Sequence, residues 1–342
     1  MLKEMWLITN YSCNHRCKWC YTTDKNFVNQ NMPLSFAKET LKEMAKLGVK
    51  KCTLIGGEPT LYPHIKEVLK TGSDLGILMK IVTNGVKIGD KKYLEELKEA
   101  GLGFVAISIH GITRESYKNN TQRDNLESVE NAIKNCNELD IPYVTLTTLN
   151  RLNCNSVIDI VKYLNKLEVK NAIFNIAVPY TNDNNIEKNI LSPKEIAEVI
   201  ENNYHKLKEQ NLKAGFYASI PLCLFKEEDL LNMINEGYLI PLSEGGCNIY
   251  DKTGFAFEPN GNIIPCCKKF KEVLLNTQDK EHFIYKNKPE EMWDKIKDNF
   301  GHKAMPFPSK KCNKCKYKKD CIGGCPMFWT YFDKEKYVLG VE

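Results

Sequence analysis

The sequence predicts an α/β protein, with a partial six-fold (β/α)6 barrel that is open on one side and followed by a small cysteine-rich domain. Short apolar, β-rich runs alternate with helical patterns through the first half, which is typical of a parallel sheet with crossover helices. From Cys247 onward the chain is rich in Cys, Lys, Gly and Pro, as in small domains that are stabilised by metal. We expect a barrel at 1–185, a helical connector at 186–245 and the cysteine-rich domain at 246–342.

Apolar spacing places the individual elements of the barrel. The predicted strands are Met5–Thr9, Cys52–Ile55, Met79–Val82, Phe104–Ile109, Val144–Leu149 and Ala172–Val178. The predicted helices are Ser35–Leu47, His64–Thr71, Lys91–Ala100, Asn125–Leu139, Ser156–Leu167 and Ser192–Gln210. Gly215 to Gly246 is predicted to be a connector of weak periodicity. In parallel α/β folds the chemistry lies on the loops after the strands, so those loops are the place to look for a site.

Composition narrows the class of protein. The 342 residues include 14 cysteines and carry a net charge of +5, with lysines mixed among acidic residues. We therefore expect no binding to nucleic acid. We find no signal peptide and no apolar run near the roughly 20 residues of a membrane helix, and so expect a cytoplasmic protein without membrane contact. In the reducing cytosol these cysteines indicate metal binding or catalysis rather than disulfides.

Three cysteines stand together directly after the first predicted strand. Cys13, Cys17 and Cys20 are separated by three and two residues. Three thiolates on one loop can bind three irons of a cubane cluster and leave the fourth iron open. A structural zinc site would need four ligands, and zinc or coincidence are the alternative interpretations.

With Trp19 before its last cysteine, this loop resembles that of the radical S-adenosylmethionine (SAM) superfamily. Gly-Gly-Glu-Pro after the second strand is similar to the family's loop for the SAM amino group, where a carboxylate or a carbonyl would pair with the ammonium. Thr-Asn-Gly follows the third strand, as in the family. The SAM contacts that the resemblance implies are Tyr21, Gly56, Gly57, Glu58, Pro59, Thr83, Asn84, Ser108 and Arg123.

One position departs from this pattern. The fourth strand ends in Ser108-Ile109-His110-Gly111, where many relatives have Asp in place of His110. The substitution is either harmless or places an imidazole suited to proton handling near the SAM or substrate pocket.

The resemblance also implies the reaction. A reductant of the flavodoxin or ferredoxin type supplies one electron to a 4Fe-4S cluster, and SAM is cleaved to methionine and a 5'-deoxyadenosyl radical. This radical then abstracts a hydrogen atom from the substrate. The cofactors carry the difficult chemistry, while the protein orients them and excludes water.

A second set of cysteines resembles the SPASM module, which holds one or two auxiliary 4Fe-4S clusters. The spacing is Cys, thirteen residues, Gly, four residues, Cys, then Cys-x2-Cys-x5-Cys-x3-Cys. The first auxiliary cluster would use Cys247, Cys266 and Cys325, and the second Cys312, Cys315 and Cys321. A zinc ribbon is the alternative interpretation.

Two features of this module leave ligands undecided. The complete module has a further cysteine after Cys325, whereas none follows in this sequence, so Asp320 and Asp333 are candidate oxygen ligands. Cys223, in the connector, is a fourth ligand, a hydrogen-atom donor or inert. We expect Cys52, Cys136 and Cys154 to be small core residues.

Three hypotheses of function follow. The first is a peptide-modifying radical SAM oxidoreductase that oxidises, crosslinks or epimerises a peptide. The second is a radical SAM dehydrogenase or epimerase acting on a small molecule such as a sugar or cyclitol. The third is a non-catalytic iron-sulfur electron-transfer protein, which the SAM-pocket motifs disfavour. Only twelve residues precede Cys13, so we expect no separate leader-binding domain at the front.

Overall fold

The computed structural model describes residues 4–20, 22, 30–179, 189–241, 247, 254–268, 273, 275–276 and 307–341. Within these ranges eleven strands form one sheet. The strands are β1 Glu4–Asn10, β2 Lys51–Gly56, β3 Leu78–Thr83, β4 Leu102–Ser108, β5 Tyr143–Leu149, β6 Asn171–Ile176, β7 Lys213–Ala218, β8 Leu239–Pro241, β9 Ala256–Phe257, β10 Asn262–Ile264 and β11 Leu275–Asn276.

Helices connect most of the successive parallel strands. They are α1 Leu34–Lys46, α2 Ile65–Asp74, α3 Lys91–Glu99, α4 Arg114–Thr121, α5 Leu126–Glu138, α6 Val157–Lys166, α7 Pro193–Lys208, α8 Glu227–Asn235 and α9 Lys334–Tyr337. In the part of the chain that the structure describes, none of the helices has the length and apolar character needed to cross a membrane.

The order of the strands in the sheet is β11-β10-β9-β1-β2-β3-β4-β5-β6-β7-β8. From β1 to β8, each strand is parallel to the next along the chain. The carboxyl ends of β1 to β6 therefore meet at one edge, as the fold prediction requires. This confirms the predicted α/β class with six strand-helix units.

Two strands extend the sheet beyond the six predicted units. Residues predicted to form a connector contain β7, α8 and β8. β7 lies next to β6, and β8 lies next to β7. Gly215 weakens the strand pattern of β7, and Pro241 ends the three-residue β8 at the edge of the sheet, where proline is tolerated.

The other side of β1 carries part of the cysteine-rich region. β9 pairs with β1 in parallel, through Trp6 and Ala256. β10 and β11 continue the sheet in antiparallel fashion. The strand that leads into the cysteine loop and the strands of the cysteine-rich region are thus parts of one continuous sheet.

Helix packing on the sheet builds the core. Leu54, Ile81, Val105 and Ile107 on the central strands are inaccessible to solvent, and burying each such side chain contributes about 1.5–3 kcal/mol. Helix α7 begins as predicted, with Pro193 in its first turn and a capping box between Ser192 and Glu195.

Candidate active site

The loop after β1 is held in place from two directions. On one side, Gly57 N–H donates to the Asn10 carbonyl at 2.8 Å and Glu58 N–H donates to the Ser12 carbonyl at 2.8 Å. On the other side, Arg16 N–H donates to the carbonyl of Thr121, at the end of α4, at 2.9 Å. The backbone that presents the three cysteines is therefore fixed by its neighbours.

The three thiols of this loop lie together. Cys13, Cys17 and Cys20 are close enough for their charges to interact, and Cys13 Sγ accepts a hydrogen bond from His15 N–H at 3.4 Å. Burial raises the pKa of Cys13 to about 12 and that of Cys17 well above its ordinary value. These thiols are therefore protonated at pH 7 until a metal replaces the proton. Three thiols on one loop, with an N–H···S bond, fit a cluster that leaves one iron open.

Both glycines of the Gly-Gly-Glu-Pro loop are required because the backbone of the cysteine loop lies too close to leave room for a side chain. A Cβ on Gly57 would lie 2.3 Å from the Ser12 carbonyl oxygen, and one on Gly56 would lie 2.3 Å from that of Asn10. Because the obstructing atoms are backbone, no side-chain movement relieves the clash. Glycine at these two positions brings the second loop directly against the cysteine loop.

The Glu58 carboxylate is buried and accepts hydrogen bonds from four donors. Oε1 accepts from Thr60 N–H at 3.1 Å, from Thr60 Oγ1 at 2.7 Å and from Thr83 Oγ1 at 2.6 Å. Oε2 accepts from Asn84 N–H at 2.7 Å. Burial raises the pKa of Glu58, and these hydrogen bonds oppose that rise. The carboxylate thus ties the β2 loop to the β3 loop, which favours a backbone carbonyl over it as the acceptor for an ammonium group.

Asn84 reaches from the third loop to the first. Its Nδ2 donates to Asn14 Oδ1 at 2.5 Å and points to Cys13 Sγ at 3.9 Å, while its Oδ1 accepts from Val86 N–H at 3.1 Å. Asn14 is a contact that motif reasoning does not include. Its only signal in the sequence is its position beside Cys13.

The other predicted SAM contacts have different surroundings. Pro59 begins a short 3-10 helix and is buried. Ser108 ends β4 and is half-buried. Arg123 is exposed, and its guanidinium donates to the Gln122 carbonyl at 2.8 Å. Tyr21 lies outside the described residues.

His110 is buried beneath the cysteine loop. Its Nδ1 accepts a hydrogen bond from Thr148 N–H at 3.2 Å, and its ring meets Trp19 edge-on at 4.8 Å. Nδ1 is therefore the unprotonated nitrogen of a neutral ring. Burial lowers the pKa of His110 to about 3. The buried, neutral ring favours the interpretation that the substitution is harmless over the one in which His110 handles protons near neutral pH.

The second set of cysteines is distributed over two parts of the structure. Cys312, Cys315, Cys321 and Cys325 lie in the segment 307–341, and the backbone N–H of Cys325 donates to the Ser219 carbonyl at 2.7 Å. Cys266 and Cys267 follow β10 and pack against a small apolar cluster beside β1. Cys247 is described, whereas its neighbours at 242–246 and 248–253 are not.

The predictions for Asp333 and for the three cysteines expected in the core can be compared with the structure. The Asp333 carboxylate caps α9 by accepting from Glu335 N–H at 3.0 Å, so it already serves a helix. Cys52 and Cys136 are buried, as expected of core residues. Cys154 is only half-buried, because it lies in the turn before α6.

A parallel α/β sheet with three thiols after its first strand and Gly-Gly-Glu-Pro after its second defines an iron-sulfur protein that binds SAM. In agreement, residues 7–164 match the Radical SAM superfamily. The chain therefore carries a radical SAM domain, whose cofactors are a 4Fe-4S cluster and SAM.

Curated relatives include proteins with different activities. GTP 3',8-cyclase of Clostridium perfringens (strain SM101 / Type A) is 25% identical over 308 residues, covering 82% of this chain and 91% of that protein. A probable GTP 3',8-cyclase of Thermococcus kodakarensis is 32% identical over 156 residues, and the chain spans half of its length. AdoMet-dependent heme synthase of Methanosarcina barkeri is 26% identical over 343 residues, covering 96% of this chain and 93% of that protein.

Solved structures share the fold along nearly the whole chain. Streptococcus suis SuiB bound to precursor peptide SuiA superposes with a TM-score of 0.71 at 18% identity, covering 98% of this chain and 74% of that one. Native anSMEcpe with bound AdoMet gives a TM-score of 0.70 at 20% identity, covering 95% and 89%. Both structures share the fold of this chain, which confirms the predicted fold class.

Proposed function

We propose that this protein is a radical SAM enzyme that removes a hydrogen atom from a peptide and passes a second electron to auxiliary iron-sulfur clusters. The proposal rests on the observation that the regions containing the two sets of cysteines are joined in one sheet. β9 of the cysteine-rich region pairs with β1, which leads into Cys13. The Tyr11 hydroxyl also donates to Glu258, in the same region, at 2.6 Å. An electron acceptor built onto the strand beneath the SAM site suits net oxidation of a substrate radical.

When bound, the cofactors supply a 5'-deoxyadenosyl radical, generated with one electron from a flavodoxin- or ferredoxin-type reductant. The protein's own task is to hold the loops around that chemistry. Glu58 fixes the β2 loop to the β3 loop through Thr83 and Asn84. Asn84 in turn contacts the cysteine loop through Asn14. The three loops are consequently linked by hydrogen bonds, which keeps reacting groups in a fixed geometry.

Two considerations favour a peptide over a nucleotide. SuiB shares the fold over almost the full length of this chain, and its structure was determined with its precursor peptide. In addition, described cations on the strand-end loops already have partners, as Arg151 is paired with Glu195 at 2.8 Å and Lys18 donates to Asn119 at 2.7 Å. A triphosphate needs several cations that can turn towards it.

A second candidate is a nucleotide substrate. It is favoured by the sequence relatives named GTP 3',8-cyclase, of which one matches this chain over 91% of its own length. Sequence similarity that covers 82% of the chain extends beyond the SAM domain into at least part of the cysteine-rich region. The substrate test must therefore include GTP alongside peptides.

The test is the formation of 5'-deoxyadenosine by anaerobically reconstituted protein with SAM and dithionite. Short peptides encoded beside the gene are compared with GTP, and products are analysed by mass spectrometry. We expect a peptide to stimulate deoxyadenosine formation and to change in mass, and the Cys13/Cys17/Cys20→Ala variant to form none. Stimulation by GTP with conversion of GTP would overturn the peptide proposal in favour of the second candidate.

A further inference from the structure

Cys223 lies at the contact between the barrel and the cysteine-rich segment. It stands in a 3-10 helix, Leu222–Leu224, shortly after β7, and is 8% exposed. Sequence reasoning left it three roles: ligand, hydrogen-atom donor or inert residue. Its neighbours in the structure distinguish among them.

The backbone next to Cys223 contacts Cys321. Leu222 N–H donates to Cys321 Sγ at 3.4 Å, and Gly323 N–H donates to the same sulfur at 3.4 Å. Three residues further on, Gly324 packs so closely on the barrel that a Cβ there would lie 3.0 Å from Pro221 Cδ. N–H···S bonds of this kind stabilise a thiolate in an iron-sulfur cluster.

Cys223 has neighbouring thiols in the segment 307–341. The sulfur of Cys223 is within electrostatic reach of both Cys312 and Cys321, and Cys312 is also within reach of Cys315. Thiols that lie near one another in a buried place can exchange their protons for iron.

We propose that Cys223 is the fourth thiolate ligand of an auxiliary 4Fe-4S cluster held by Cys312, Cys315 and Cys321. The inference rests on the proposed function, which requires such a cluster. Ligation exchanges the S–H bond of Cys223 for an Fe–S bond and releases the proton to solvent, with no change in oxidation state of the sulfur. Four thiolates leave no open iron, so this cluster transfers electrons and does not bind substrate.

The proposal also gives a consequence for the fold. Three ligands come from the segment 307–341, while Cys223 follows β7 of the barrel. The cluster would therefore fasten the cysteine-rich segment to the sheet at β7. Loss of this one ligand should loosen that segment as well as change the cluster.

The experiment uses the full chain with Cys13, Cys17 and Cys20 replaced by Ala, so that only auxiliary clusters contribute. Iron, sulfide and Mössbauer spectra are measured after reconstitution for this background and for the added changes Cys223→Ala, Cys223→Ser and Cys321→Ala. Cys136→Ala is the matched control, because Cys136 is a buried cysteine on α5. These readouts do not depend on substrate or on SAM cleavage.

We expect Cys223→Ala and Cys321→Ala to remove the same spectral component, with loss of about one to four irons depending on whether a three-iron cluster survives. Combining the two changes should affect no component other than this one. Cys223→Ser should keep iron with an altered spectrum, because its oxygen can replace sulfur as a ligand. Cys136→Ala should match the background.

Three outcomes would overturn the proposal. Unchanged iron and spectra in Cys223→Ala would show that Cys223 is not a ligand. Loss of a component different from the one that Cys321→Ala removes would assign Cys223 to another cluster. A background protein that binds no iron would contradict the auxiliary clusters of the proposed function itself, whereas the first two outcomes leave that function standing.

Discussion

The phenolic hydroxyl of Tyr11 donates a 2.6 Å hydrogen bond to Oε1 of Glu258. Both residues are buried, and Glu258 Oε2 accepts a further bond from Asn262 Nδ2 at 3.0 Å. Burial raises the pKa of Glu258, and its two hydrogen bonds oppose the rise. A polar link of this kind, enclosed in an apolar surrounding, fixes the cysteine loop to the cysteine-rich region because each partner would be costly to leave unsatisfied.

Replacing Tyr11 by Phe should lower the free energy of unfolding at pH 7 by about 1–3 kcal/mol, since the buried carboxylate loses a donor. The loss should be smaller at pH 5. The folded-state pKa of Glu258 is raised, so a falling pH protonates it in the folded chain first, and a protonated carboxyl needs that donor less. Urea unfolding of variant and wild type at the two pH values measures both quantities.

Tyr143→Phe is the control for this comparison. Tyr143 is half-buried and its hydroxyl donates at 2.9 Å to Asn137 Oδ1, a neutral amide. Its effect on unfolding should therefore be the same at pH 5 and pH 7. An equal loss for Tyr11→Phe at both pH values would mean that Tyr11 does not act through the charge of Glu258.

Glu58→Gln should lower the free energy of unfolding by roughly 2–3 kcal/mol and weaken SAM binding. The amide NH2 of glutamine would face donors from Thr83 or Asn84 where a carboxylate oxygen now accepts them, leaving buried groups unsatisfied. Denaturant unfolding and equilibrium dialysis with SAM are the measurements. Glu67→Gln, at an exposed position of α2, should change stability by no more than about 0.5 kcal/mol. Equal behaviour of the two variants would show that Glu58 does not organise the loops.

The elements that sequence predicts well are those with apolar periodicity. All six predicted strands and six predicted helices are present, with ends shifted by at most a few residues. Helix α4 was not predicted, because its sequence is polar and only Tyr117, Asn120 and Thr121 are buried. Its start depends on a capping box between Thr113 and Ser116, which a pattern of apolar residues does not reveal.

Motifs locate the candidate site but not the roles of its side chains. The carboxylate of Glu58 is occupied by donors from its own loop and from the β3 loop, and no local pattern encodes the second set. The same holds for the pair Tyr11 and Glu258, which are 247 positions apart. Cys223 is the strongest case, since its neighbours Cys312 and Cys321 follow it by about 90 residues or more and only tertiary structure brings them together.

His110→Asn should reduce the loss of stability on acidification. The folded-state pKa of His110 is about 3, below the ordinary value of 6.5, so the unfolded chain binds a proton first as the pH falls. The neutral ring therefore stabilises the folded chain fully above about pH 6.5, and this stabilisation is lost progressively as the pH falls towards 3. The loss amounts to about 2 kcal/mol at pH 5. The variant, which lacks this titration, should lose about 2 kcal/mol less than wild type between pH 7 and pH 5 in urea unfolding.

Tyr143→Phe provides the comparison for that experiment, because it removes a hydroxyl that is bonded to a neutral amide. It should leave the difference between pH 7 and pH 5 close to that of wild type. If His110→Asn behaves in the same way, the imidazole of His110 is protonated in the folded chain, contrary to the buried geometry. A deoxyadenosine-forming rate with an inflection near pH 6.5 that disappears in His110→Asn would point in the same direction.

Gly57→Ala should impair the first cluster site. The added Cβ would lie 2.3 Å from the Ser12 carbonyl oxygen and 2.5 Å from that of Tyr11, so the cysteine loop must move away from the β2 loop and lose the hydrogen bond to Ser12. We expect deoxyadenosine formation to fall by at least about tenfold, equivalent to ~1.4 kcal/mol, with less iron retained at Cys13, Cys17 and Cys20. Gly103→Ala is the control, because its Cβ clashes only with the flexible, exposed end of Leu78 and lies at an ordinary contact distance of 3.6 Å from the Met79 carbonyl oxygen. Melting temperatures of both variants separate a local shift from general unfolding. If Gly57→Ala folds, binds iron and cleaves SAM as Gly103→Ala does, the close approach of the two loops is not required for the chemistry.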